Sequence, residues 1–142
     1  MKICYSIVSV GVLLIVTAGA LSSQKEDGGL GDDARLVSFA DLEYPGLARV
    51  ARIQGIVVVE AQLDDKGNVA SASAISGAKS LIPDCLSNVK KWKFKPNSRK
   101  NIIIVYEFRL DECACHDASH SLFRLRYENF ASITACAPVV GG

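Results

Sequence analysis

Residues 56–75, "IVVVEAQLDDKGNVASASAI", are the stretch that most limits how this chain folds. The first part is rich in β-branched residues, and its apolar side chains alternate: Val57, Val59, Ala61 and Leu63 on one face, Glu60 and Gln62 on the other. "DDKGN", residues 64–68, supplies a turn in which Gly67 or Asn68 takes positive φ. Residues 69–75 return as a second strand of mostly small side chains, over which something bulky must pack. An isolated hairpin is marginal in water, so a third strand and a cover are required.

Both follow. Leu81, Cys85, Val89 and Trp92 recur at helical spacing with Leu86 alongside; Pro83 fits a first turn and Pro96 stops the helix. Residues 102–110, "IIIVYEFRL", read as the third strand, with Ile104, Tyr106, Phe108 and Leu110 on one face and Glu107 and Arg109 on the other. Ahead of the hairpin, "YPGLARVARIQG" reads as a short helix with Pro45 at its start and Gly55 past its end. Leu47, Val50, Ala51 and Ile53 give it an apolar side, with Arg49 and Arg52 outward. The expected core holds Trp92, Val89, Leu86, Tyr106 and Phe108 together.

The expected class is therefore α+β: a small antiparallel β-sheet (β-hairpin, helix, third strand) with two helices packed on one face. A C-terminal β-hairpin, from "SLFRLRY" (121–127) and "FASITAC" (130–136) joined by "EN", is expected to extend or cap the sheet, blocking the edge of strand 102–110 or moving it to the new outer strand. The expected segments are 1–20, 21–43, 44–110 and 111–142: a leader, a flexible lead-in, the domain, and a cysteine-bearing extension.

Residues 1–20 begin with a basic Lys2, continue as an apolar run and end in Ala18-Gly19-Ala20, the pattern of a secretory signal peptide. The alternative is a short membrane anchor, since Ile3 to Ala20 is 18 residues, the lower limit for a span. Membrane contact is expected only if residues 3–20 stay uncleaved. Without Lys2 the chain holds 15 basic and 15 acidic residues, so no overall bias toward nucleic acid exists. The basic run Lys90, Lys91, Lys93, Lys95, Arg99, Lys100 reads as a solvated face, and Trp92 and Phe94 within it as core residues rather than a nucleic-acid surface.

Cys85, Cys113, Cys115 and Cys136 lie beyond the leader, an even number in an exported chain, and are disulfide candidates with three possible pairings. Pairing of Cys136 with Cys113 or Cys115 would tie the added hairpin to the end of the third strand; Cys85, on the helical stripe, has the alternative of a buried thiol. "CACHDASH" also offers Cys113, Cys115, His116 and His120 as ligands for zinc or copper, but Cys-x-Cys-His is not a standard zinc spacing. No cofactor is expected. Both histidines lie in that loop, and no phosphate loop, Ser-His-Asp set or carboxylate pair is present, so no catalytic residue is assigned.

"YPGLA", "RIQG", "IVVVEAQL", "DDKGNV", "ISG", "VKKWKFKP" and "IIIVYEFRL", in this order over residues 44–110, resemble the C-terminal domain of TonB, the periplasmic energy transducer of Gram-negative bacteria. The resemblance implies a periplasmic, non-catalytic binding module; the alternative location is the inner membrane. The family's domain captures short segments of outer-membrane TonB-dependent receptors by pairing them with an exposed strand edge. On this chain the corresponding strand is 102–110, and Ile103, Val105, Glu107 and Arg109 would flank the bound segment. Two departures matter. Residues 21–43 reach at most about 80 Å when extended, short for crossing a periplasm, and the leading apolar segment lacks the histidine of the family's anchor. A binding module fits better than a complete transducer; a structural protein of the same fold with no receptor is the other reading.

Overall fold

The computed structural model describes residues 35–112 and 121–138. Its elements run β1 (Leu36–Ser38), α1 (Gly46–Val50), β2 (Gly55–Leu63), β3 (Val69–Ser76), α2 (Ile82–Val89), β4 (Lys93–Phe94), β5 (Asn101–Asp111), β6 (Ser121–Tyr127) and β7 (Phe130–Cys136). Five strands form one sheet in the order β3-β2-β5-β7-β6, and β1 pairs with β4 in a separate two-stranded ribbon.

The main sheet is mixed, not wholly antiparallel as expected. β2 pairs antiparallel with β3 and β5, and β6 with β7, but β5 and β7 run parallel. The cause lies in the hairpin's two sequences. "SLFRLRY" carries Arg124 and Arg126, both exposed, and a charged strand belongs at an edge. "FASITAC" carries no charge and buries Ala131, Ser132, Ile133 and Ala135. The hairpin therefore inserts its second strand against β5 and leaves its first outside.

The alternation in β2 is realised: Val57, Val59, Ala61 and Leu63 are buried. Ile104, Tyr106 and Phe108 of β5 meet them, and Leu81, Cys85, Val89, Trp92 and Phe94 pack over this face from α2 and its exit. Of the five expected core residues, Trp92, Val89, Tyr106 and Phe108 are buried and Leu86 packs against them half-buried. The DDKGN turn is pinned by Gly67 at φ 81°, and a Cβ there would stand 1.9 Å from the Phe94 carbonyl oxygen.

The first helix is shorter than the apolar spacing implied. Its one buried residue is Ala48, while Leu47 and Val50 are 87% and 69% exposed. Arg52, not Gly55, ends it. Arg52 adopts φ 54°, its N–H reaches the Arg49 carbonyl at 3.0 Å, and the Ile53 N–H reaches the Ala48 carbonyl at 2.8 Å. This is a Schellman stop with arginine in the left-handed position.

Residues 36–43, expected to be a flexible lead-in, belong to the fold. Two short helices cannot cover five strands, and this segment supplies the missing cover. Phe39 lies between Trp92 (ring centroids 6.1 Å apart) and Phe123 (5.7 Å, stacked). Tyr44 meets Phe108 edge-on at 5.3 Å, and its N–H donates to Ser121 Oγ at 3.0 Å.

Candidate binding edge

The strand edge expected to receive a partner is occupied within the chain. β7 lies along β5 from Val105 to Asp111, pairing Val105 with Phe130, Glu107 with Ser132 and Arg109 with Thr134. Just before this ladder, Val105 N–H donates to the Asn129 carbonyl at 2.8 Å, and Asn129 Nδ2 donates to the Ile103 carbonyl at 3.2 Å. The four named side chains do share the sheet face turned away from the core. Ile103 and Arg109 are exposed, Val105 and Glu107 half-buried, and Glu107 Oε2 accepts from Ser132 Oγ at 3.2 Å. The structure thus brings Ile103, Val105, Glu107 and Arg109 together on a face, but their strand has no vacant edge along 105–111.

β7 is not a loosely laid strap. Ala131 and Ile133 are fully buried and Ala135 nearly so, as parts of the one core. Displacing it would open that core to water. Among the described residues, the strands of the main sheet left with one neighbour are β3 and β6. "VASASAIS" of β3 offers mostly small side chains, an exposed Ile75 and no charge. β6 offers Leu122, Arg124 and Arg126 exposed at alternate positions and Tyr127 at its end, with Leu122 and Tyr127 50% and 73% exposed. An edge of this kind presents backbone donors and acceptors to an extended chain, and its side chains select which one.

Cys85 is a correction to the disulfide set: it is a free, fully buried thiol on α2. Burial pushes it up to about 12, with Asp84 adding to the shift, so it stays protonated. Cys136 ends β7 in register with Asp111, and the Ala137 N–H donates to the Asp111 carbonyl at 2.9 Å. Cys113, Cys115, His116 and His120 lie outside the described residues, as does the leader at 1–20. Among the described residues no group of metal-ligating side chains gathers, and no helix is long and apolar enough to cross a membrane.

Sequence reasoning missed Asn88. It is a buried polar residue whose Oδ1 accepts from Trp92 Nε1 (2.8 Å) and Tyr106 OH (3.0 Å), while Nδ2 donates to the Ala40 and Asp41 carbonyls (2.9 and 3.0 Å). Its place four residues before Trp92 on a helix, facing the indole, was the available signal.

Comparison with curated proteins finds no match. Among protein families, the model described as Gram-negative bacterial TonB protein C-terminal matches residues 40–111, from the Asn88-bound lead-in to the end of β5. That match spans half of the chain, and with the β2–β3 hairpin, α2 and β5 in place the chain belongs to the TonB C-terminal family.

Proposed function

We infer that this protein is an exported, non-catalytic binding module that captures an extended segment of an outer-membrane receptor by strand pairing, and that the pairing edge is β6 rather than β5. Domains of this family are periplasmic protein-interaction modules of Gram-negative bacteria and engage outer-membrane receptors in TonB-linked transport. The observation that carries the choice of edge is the ladder between β5 and β7, which takes up Val105–Asp111 inside the chain. β6 is the strand that continues the same sheet beyond it. Arg124 and Arg126 oppose pairing of two copies of this edge and favour a segment bearing acidic residues.

Titration of the labelled protein with an extended acidic receptor segment, followed by amide chemical shifts, tests this reading. Shifts should concentrate in residues 121–127, and Arg124→Glu with Arg126→Glu should weaken binding about tenfold or more. Shifts concentrated in β3, or no binding by any receptor segment, would sink it; the second result would favour a structural role for the same fold.

The hairpin would be locked by a disulfide from Cys136 to Cys113 or Cys115. The register of Cys136 with Asp111 supports this, because Asp111 is two residues from Cys113 and four from Cys115. Intact mass with and without reductant tests it, and a mature species with four free thiols would refute it.

A further inference from the structure

Lys91, Lys93 and Lys95 alternate with Trp92 and Phe94. Both aromatic side chains are buried, and all three lysines are exposed. β4 is extended, so Lys93 and Lys95 project to one side about 6.6 Å apart, while Lys91 sits in the turn that leaves α2, its N–H donating to the Asn88 carbonyl at 2.9 Å. The two buried aromatics anchor this backbone in the core and leave the lysines in water. Lys90, exposed at the end of α2, adds a fourth cation.

The acids of the adjoining turn are committed elsewhere. The DDKGN turn packs against β4, with the Phe94 N–H donating to the Gly67 carbonyl at 2.8 Å and Asn68 bridging to Lys93. Within it, Asp64 accepts from the Lys66 N–H, the Asn68 N–H and Asn68 Nδ2 at 2.8–2.9 Å. Asp65 pairs with Lys100 at 2.6 Å. Among the described residues, Lys90, Lys91, Lys93 and Lys95 have no ion-pair partner. The formal net charge of the whole chain is only +1, so this is a local concentration, not a consequence of a basic protein.

The strip also lies where the chain enters the fold. β1 pairs with β4, matching Leu36 with Phe94 and Ser38 with Lys93, and the Lys95 N–H donates to the Arg35 carbonyl at 2.7 Å. The apolar segment 3–20 is joined to this point by residues 21–34, a tether of at most about 50 Å. If residues 3–20 stay uncleaved in a membrane, its surface is within reach of the lysine strip.

We propose that Lys91, Lys93 and Lys95, with Lys90, form a docking face for a surface of anionic phospholipid headgroups. This does not rest on the strand-pairing reading: it uses a different ribbon and different residues. Basic side chains near an anionic leaflet contribute additively and lose their effect within a Debye length.

The test is sedimentation of the full chain with phosphatidylcholine vesicles and with vesicles in which part of the phosphatidylcholine is replaced by phosphatidylglycerol. The wild-type chain should partition more strongly to the phosphatidylglycerol vesicles, and the excess should vanish in high salt. Lys91→Gln/Lys93→Gln/Lys95→Gln should lower that excess about a hundredfold. A variant losing three cations elsewhere, Lys79→Gln/Arg49→Gln/Arg109→Gln, should keep most of it. Trp92 fluorescence verifies that both variants are folded. Equal partitioning to the two vesicle types, or equal losses in the two variants, would overturn the proposal. So would displacement by inorganic phosphate beyond that of chloride at matched ionic strength, which would point to a discrete phosphate site.

Discussion

The indole N–H of Trp92 donates to the side-chain oxygen of Asn88 at 2.8 Å, four residues earlier in the chain and wholly inside the core. The same oxygen accepts from Tyr106 on β5, and the amide nitrogen holds the lead-in through Ala40 and Asp41. One carboxamide thus joins the lead-in, α2 and the sheet with every group satisfied.

Asn88→Ala should therefore cost roughly 2–4 kcal/mol, because it leaves the Trp92 and Tyr106 donors and two carbonyls without a partner. Tyr106→Phe removes one donor and keeps the Trp92 bond, so it should cost only about 1 kcal/mol. Urea unfolding checks both. Equal losses would mean that the carboxamide is not the hub.

The buried Cys85 thiol gives a pH dependence whose sign is fixed. Its ordinary value is 9.0 and burial pushes it to about 12. Between these values the unfolded chain releases the proton and the native chain retains it, so stability falls as pH rises past about 9. Burial raises Tyr44 and Tyr106 as well, which extends the loss above pH 10. Cys85→Ala should flatten the profile between pH 9 and 10 while leaving the tyrosine part. Native Cys85 should also resist alkylation at neutral pH until urea unfolds the chain.

Two glycines should respond in opposite directions. Gly67→Ala places a Cβ against the Phe94 backbone at positive φ, and should cost more than about 2 kcal/mol. Gly46→Ala meets nothing within 4 Å on α1 and should be neutral or stabilise by up to about 1 kcal/mol. Thermal melts of the two variants suffice, and similar shifts would mean that the turn is not seated against β4.

Much of the fold was legible because it is written in periodicity. The alternation in residues 56–63 and 102–110, the helical recurrence of Leu81, Cys85 and Val89, and the two strands around "EN" all appear in the structure, although α2 ends at Val89, short of Trp92 and well before Pro96. Three features were not legible, each for a physical reason. Residues 36–43 hold the apolar Leu36, Val37, Phe39, Ala40 and Leu42 but read as a linker because they follow the polar, glycine-bearing stretch 21–35; they are ordered by long-range contacts of Phe39 and by Asn88, which no local pattern encodes. Arg52 stops α1 in a conformation that normally signals glycine. The binding edge was placed on β5 from the family resemblance, and a capping hairpin was legible too, but not which of its two strands lies against β5. Which neighbour fills such an edge depends on the relative charge of β6 and β7, a comparison between strands rather than a property of one.

That comparison gives the most consequential prediction. β5 is an apolar, β-prone strand, and β7 is what keeps its edge from other chains. Ending the chain after residue 120 would uncover Val105–Asp111 and expose the core faces that Ala131, Ile133 and Ala135 now close. The truncated chain should self-associate with rising concentration, or lose its cooperative unfolding, instead of remaining a monomer with a vacant edge. Ile133→Ala, which retains the hairpin, should cost roughly 2–5 kcal/mol by emptying a fully buried site, and should leave the chain monomeric. Analytical ultracentrifugation over a concentration series, paired with urea unfolding, distinguishes the two. A truncated chain that stays monomeric with an unchanged midpoint would show that β7 is dispensable, and the β5 edge would again be the place where a receptor segment binds.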